Sequence, residues 1–440
     1  MEVINPYTAI IAISVIIIVS YFFNIISQKT NIPSVLMLIV LGILIKQGLL
    51  FIGISVNELL FNVLELLGIV GLIMIVLEAA LDLHLTKDKW PIIWKSFSVA
   101  LLSLVISAIC CAYLINWFII PDFFTSLVYA VPLSIMSSAI IIPSVGGLSE
   151  EKKEFMVYDG TFSDILGIMF FYFLIGNAGE SSAKVVAFDV ISNIGITILL
   201  SAAISYGLVL VFQKMNSQVK LFMLIAVLLI LYSVGKLFHL SSLLIILIFG
   251  LVLNNHKLFF RGFLKRWIDP NSVKDVLKDF HLVTIESAFV VRTFFFVLFG
   301  ITITLSSLAD LKVGLISLCI LITLYIIRFI LVKIFVQKDI FPQVFLAPRG
   351  LITILLFFAI PDEYTNDNFD SGILLYAIIV SCIIMAGALV ASGKKVIPIE
   401  DMSFIYSDED ELPVEGAPIK AEEHPLPKPG EVKGQEDQST

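Results

Sequence analysis

The chain has 440 residues, of which 59% are hydrophobic and only 15% charged, and its mean hydropathy is +1.02. Soluble domains carry about 25% charged residues, so a soluble fold is excluded and an integral membrane protein is expected. The net charge of -8 is local: Pro398 to Thr440 holds twelve acids and three lysines, leaving +1 for the rest, and nothing in that balance points to nucleic-acid binding.

The apolar runs are roughly 17–25 residues long, which predicts helical spans, because barrel strands alternate over ~10 residues. About thirteen spans follow in chain order, at 7–27, 33–50, 58–82, 91–119, 124–148, 155–176, 186–212, 220–235, 240–254, 280–305, 311–335, 340–360 and 371–392. The first has no basic residues before it and no small-residue cleavage site, so it is expected to be a span and not a removed signal peptide. Connections are brief except over 255–279. Cys110, Cys111, Cys319 and Cys382 lie in apolar segments without metal-ligand spacing and are expected to be small buried hydrophobes. A transmembrane domain over 1–397 is followed by a tail, 398–440, whose acidic, proline-bearing composition predicts disorder. The tail is too short and polar for a nucleotide-sensing regulatory domain.

Basic residues set the expected orientation. One alternate set of loops carries Lys29, Lys87, Lys89, Lys152, Lys153, Lys214, Lys220, Lys257, Arg261, Lys265, Arg266, Lys338, Lys394 and Lys395. The opposite set carries only Lys46, Lys184, Lys236 and Lys312. The N-terminus is therefore expected outside and the tail in the cytoplasm, which requires an odd number of spans.

Two spans contain helix breakers. The fifth includes SIMSSAIIIPSVGG, with breaks expected at Ser137-Ser138 and Pro143; the twelfth, FPQVFLAPRGLITILLFFAIP, is expected to unwind around Pro348-Arg349-Gly350. Proline removes an intrahelical donor, and paired interruptions in corresponding positions of two halves mark inverted-repeat transporters. The expected fold class is thus an all-α polytopic membrane protein with two interrupted crossing helices.

Asp164 sits in FMVYDGTFSDILGIMFFYFLIG, a sequence otherwise suited to lipid. A carboxylate at such depth costs ~2.5–3.5 kcal/mol on insertion scales. Buried there it can hold a proton or a desolvated monovalent cation, but not readily both, which suffices for exchange. Ser163 beside it, with Ser137 and Ser138 in the broken fifth span, supplies the hydroxyl oxygens that small hard cations prefer. Asp159 is about 140° around the helix from Asp164, so the two acids need not share an ion. Arg292, Arg328 and Arg349 are the intramembrane cations open to it, and Arg349 is favoured for its place at the twelfth-span break. Glu286 and Arg292, six apart, fall on different faces of the tenth span; either faces the site or anchors its helix. Glu78 and Asp82 share a face near the end of the third span, as a cation funnel or a solvated helix end. His239 and His281 lie near span ends. An intramembrane aspartyl protease is excluded for want of a Gly-x-Gly-Asp partner to Tyr158-Asp159, and no other hydrolase or phosphate-binding motif occurs, so the chain is read as a non-enzyme without cofactor.

With these residues in place, the sequence resembles the monovalent cation:proton antiporters of the sodium/proton exchanger superfamily over residues 1 to about 395. VLEAALDLHL, SSAIIIPSVGGL, DGTFSD, FVVRTFFFVLFG and APRGLITILL carry the likeness. The ion-site helix of the sodium/proton branch commonly reads Glu-Ser-x-x-Asn-Asp; here Asp159, Gly160, Ser163 and Asp164 take those places. The resemblance implies that Asp164 binds the ion, that Asp159 pairs with an arginine such as Arg349, and that the protein is a homodimer in the cytoplasmic (inner) membrane. Electrogenic relatives carry aspartates at both the Ser163 and Asp164 positions, so a single acid implies electroneutral exchange of Na+ or K+ for H+. Loss of the asparagine leaves sodium and potassium both open. Other readings are a sodium-coupled solute symporter of similar build and a gated channel or membrane sensor.

Overall fold

The computed structural model describes residues 6–30, 33–51, 59–83, 85, 88–176, 199–211, 220–237, 242–260, 270–302, 310–337, 339–366 and 368–393. Among them there is no strand. The helices are α1 (Pro6–Thr30), α2 (Ser34–Phe51), α3 (Leu59–Asp82), α4 (Trp90–Phe118), α5 (Phe123–Ser134), α6 (Ser138–Ser144) and α7 (Glu150–Gly176). They continue with α8 (Leu199–Val211), α9 (Lys220–Leu237), α10 (Ser242–Asn254), the single turn α11 (His256–Phe259), α12 (Pro270–Thr302), α13 (Leu311–Phe335), α14 (Leu351–Phe358) and α15 (Gly372–Ala391). Each of the thirteen expected spans overlaps at least one of these helices, and the fifth overlaps two. Eight candidate spans among the described residues are long and apolar enough to cross a bilayer, and four shorter apolar helices accompany them.

These helices are apolar on both faces, and the faces differ in what they meet. In α13, Leu311, Leu315, Leu318, Ile322, Ile326, Ile330 and Ile334 form an exposed stripe at helical spacing, while Val313, Ile316, Ile320, Leu324 and Leu331 are buried on the other side. In a bilayer the first face meets lipid and the second meets protein. Capping is used where chain enters helix: Asp122 accepts from Thr125 N at 2.7 Å to start α5, and Asp310 from Lys312 N at 2.8 Å to start α13.

Packing sorts the helices into two groups. In the first, α4 lies against α5, α7 and α13, α13 against α15, and α14 against α5. In the second, α12 lies against α2 and α3, α10 against α3 and α9, and α1 against α2. The groups meet where α3, α10 and α12 face α7 and α14. The second group is held by a backbone-to-backbone crossing of α2 and α12, where Gly42 and Gly300 face each other. A Cβ on Gly42 would lie 2.8 Å from Gly300 Cα, and one on Gly300 would lie 2.9 Å from Gly42 Cα. Without a hydrophobic force between helices in lipid, such small-residue contacts supply the packing. The end of α3 is tied to the α10–α11 junction: Asn254 and Asn255 each donate an Nδ2 to the Leu83 carbonyl (3.1 and 2.8 Å), and Leu85 N donates to Asn255 Oδ1 at 2.6 Å.

Four expectations are corrected. The fifth span breaks over Ile135–Ser137, and Pro143 lies within α6, after the unwinding is complete. The twelfth span is unwound at Pro348-Arg349-Gly350 as expected, but only Leu351–Phe358 is helical; Pro342 and Pro348 both lack the donor a helix would need, and the chain before Leu351 is turn and irregular. The connection expected over 255–279 contains α11, and α12 already begins at Pro270. Cys111 and Cys382 are buried as expected, but Cys319 is exposed on α13 and Cys110 is half-buried. The tail, His239 and the Asp82 side chain lie outside the described residues; His281 is half-buried in α12.

Candidate ion-binding site

Inside a membrane every freed backbone group needs a partner, and the break between α5 and α6 finds one for each of three successive amides. Met136 N donates to Ser163 Oγ at 3.0 Å, Ser137 N to the Pro348 carbonyl at 2.9 Å, and Ser138 N to Asp164 Oδ2 at 3.0 Å. Two of the three partners are side chains of α7, and the third is the main chain of the other interrupted segment. The unwound stretch thus holds Ser163 and Asp164 in place and is held by them.

Small residues let these elements approach. A Cβ on Gly160 would meet Ser138 Cα at 3.3 Å and Ile141 Cδ1 at 3.1 Å, so α7 lies directly on the first turn of α6. A Cβ on Gly350 would meet Ser137 Oγ at 2.7 Å, so the Ser137 hydroxyl is turned to the second interrupted segment.

Asp164, Ser163, Ser137 and Ser138 are all buried. Their roles differ from a simple ring of hydroxyls. Ser163 Oγ is an acceptor for the Met136 amide. Ser138 engages the carboxylate with its amide. The remaining carboxylate oxygen, Asp164 Oδ1, is buried with no hydrogen-bond partner, as are Ser137 Oγ and Thr161 Oγ1. A buried, half-satisfied carboxylate beside hydroxyls can take a proton or a desolvated monovalent cation on its open oxygen. Thr161 stands one helical turn before Asp164 in α7, and nothing in the sequence singles it out.

Asp159 is fully buried and pairs with Arg328, not with Arg349: Arg328 Nη2 donates to Asp159 Oδ2 at 2.9 Å and to the Gln343 carbonyl at 3.0 Å. The reason is the direction of each arginine. Arg349 donates Nε to the Leu133 carbonyl at 3.1 Å and Nη1 to the Ala347 carbonyl. Its charge therefore sits against the Leu133 carbonyl at the C-terminal end of α5, where a cation complements the helix dipole. Its own amide donates to Ser381 Oγ at 2.9 Å, fixing the segment against α15.

Arg292 faces the site and Glu286 does not: Glu286 is exposed on α12. Arg292 Nη2 contacts both carboxylate oxygens of Glu78 on α3 (2.9 and 3.2 Å), Nη1 reaches the Ala139 carbonyl on α6 at 3.3 Å, and the guanidinium lies within electrostatic reach of Asp164. Glu78 is thereby a charge partner at the site and not a solvated helix end.

No curated protein matches the chain by sequence. Solved structures do match it by shape. The sodium proton antiporter MjNhaP1 from Methanocaldococcus jannaschii at pH 8 superposes with a TM-score of 0.61 at 19% identity, covering 87% of this chain and 95% of that one. An electron-microscopy map structure of the same archaeal protein gives a TM-score of 0.63 at 18% identity, covering 88% and 96%. At such identities the likeness establishes a common fold. A family model described as "Sodium/hydrogen exchanger, transmembrane" matches residues 13–392, and on that match the chain belongs to the sodium/hydrogen exchanger family.

Proposed function

We propose that the chain exchanges a monovalent cation for H+ across the cytoplasmic (inner) membrane, with Asp164 holding proton and cation in alternation. The observation that carries this is the open oxygen of Asp164, buried at the meeting of α7 with the α5–α6 break. Proton and cation compete for that oxygen, so neither crosses without displacing the other. Ser137, Ser138 and Ser163 border the carboxylate and furnish further oxygens. Access changes side when the group containing α4–α7 and α13–α15 moves against the group containing α1–α3, α9, α10 and α12.

The charge pairing supports electroneutral exchange. Asp159 is matched by Arg328 and Glu78 by Arg292, while the position beside Asp164 holds Ser163. One unpaired carboxylate carries one proton against one cation. Sodium is the cargo favoured by the family description and by the two archaeal structures; potassium is tested beside it. The basic-loop pattern supports an outside N-terminus and a cytoplasmic tail, and the family resemblance supports a homodimer.

Reconstituted vesicles with an internal pH-sensitive dye test the reading. Sodium should drive proton movement in the wild type, and Asp164→Asn should abolish it. Robust exchange by that variant overturns the role of Asp164. Clamping the membrane potential should leave the rate unchanged; a steep dependence on potential overturns electroneutrality. Running potassium and lithium in parallel gives the selectivity.

A further inference from the structure

Six hydroxyls inside the described helices share one arrangement. Ser134, Ser144, Ser205 and Ser317 each donate to the carbonyl four residues back, at 2.9, 2.7, 2.6 and 2.7 Å. Thr284 and Thr323 do the same at 2.8 and 2.9 Å. Thr161 departs from it: the side chain is fully buried in α7, and Oγ1 has no hydrogen-bond partner. A buried hydroxyl left unsatisfied is unfavourable and calls for an occupant.

Thr161 precedes Asp164 by three residues, so their Cβ atoms lie about 5–6 Å apart on one helix face. Gly160 and Ser163 point to the α5–α6 break, where they meet Ser138 and Met136. By helical angle Thr161 lies on the other flank of Asp164, and the open Oδ1 of Asp164 is, like Thr161 Oγ1, buried and unpartnered. One anionic and one neutral oxygen, a turn apart and out of water, form the kind of ligand pair that a hard monovalent cation takes in exchange for its hydration shell. With no protein partner of its own, Thr161 Oγ1 has its lone pairs free for the ion.

We propose that Thr161 Oγ1 is a direct ligand of the transported cation, completing a site whose charge is supplied by Asp164. This rests on the antiport reading above and adds a residue to it.

The test is the apparent KM for Na+ in dye-loaded vesicles. Thr161→Val keeps the shape and removes the oxygen; it should raise the KM about tenfold or more with the maximal rate retained. Thr161→Ser, which keeps the hydroxyl, should stay within about twofold of wild type. Thr161→Cys replaces a hard ligand with a soft one and should move preference from Na+ towards the softer Tl+. A merely structural threonine would not produce that shift. If the valine variant folds poorly, the cysteine and serine variants decide: an unaltered Tl+/Na+ preference in Thr161→Cys overturns the proposal. An unchanged Na+ KM in Thr161→Val, with Asp164→Asn inactive, overturns the ligand role and leaves the antiport reading standing. Exchange surviving in Asp164→Asn brings down the reading itself.

Discussion

Arg292 on α12 grips both carboxylate oxygens of Glu78 on α3 and extends its other terminal nitrogen to the Ala139 carbonyl, one residue beyond the amide that holds Asp164. Glu78 and Arg292 belong to one helix group and Ala139 to the other, so the arginine bridges the groups at the site. Both side chains are about four-fifths buried, at 17% and 18% exposure, so loss of either partner strands a charge. Glu78→Gln and Arg292→Gln should each cost ~1–3 kcal/mol of stability. The double variant should cost less than their sum by ~1–2 kcal/mol. Thermal unfolding in detergent, followed by tryptophan fluorescence, measures the cycle; strict additivity would show that the pair contributes nothing.

The Asp159–Arg328 pair should behave as a structural unit. Both side chains are essentially inaccessible, at 0% and 2% exposure. Arg328→Met alone leaves a buried carboxylate unmatched and should destabilise by ~3–5 kcal/mol. Asp159→Leu combined with Arg328→Met removes both charges and should recover most of that loss. Recovery is incomplete because the Gln343 carbonyl loses the donors that Arg328 supplied. A double variant no more stable than Arg328→Met would contradict this. Sodium-driven exchange should persist in the double variant, since neither group is placed at the open oxygen of Asp164.

At the α2–α12 crossing, Gly300→Ala would drive a methyl against the Ile39 carbonyl and the Gly42 backbone, neither of which can rotate away. Separation of the helices should cost ~1–3 kcal/mol, the usual penalty of overpacking. Gly48→Ala, in the same helix α2 but with open space around it, should be neutral or stabilising by up to ~1 kcal/mol. Comparing the two melting temperatures separates contact from helix propensity. Equal shifts would argue against the crossing.

Asp164 and the interrupted fifth span were legible in the sequence because each violates the apolar pattern around it. A carboxylate amid phenylalanines, and serines with prolines inside a hydrophobic run, stand out without coordinates. Partner choice was not legible. Arg349 is adjacent to a helix break, which favours it as the partner of Asp159, but its guanidinium turns to the Leu133 and Ala347 carbonyls. Arg328, in the middle of an unbroken helix, carries no local sign of its role. The acid nearest Arg292 on its own helix is Glu286, whereas its partner Glu78 is 214 residues away in sequence. Thr161 is illegible in the sequence for a different reason. A threonine inside a helix ordinarily satisfies itself, and only the three-dimensional hydrogen-bond pattern shows that this one does not.

The bond from Ser137 N to the Pro348 carbonyl joins the two interruptions through main chain alone. Replacing the side chain at 137 leaves its donor in place, and the acceptor at 348 is a carbonyl that every residue possesses. Only a proline at 137 would delete the bond. The junction of the two halves is therefore buffered against mutation, whereas the oxygens bordering Asp164 are side chains that single substitutions can exchange. Cargo preference can drift over evolutionary time on a frame that stays joined.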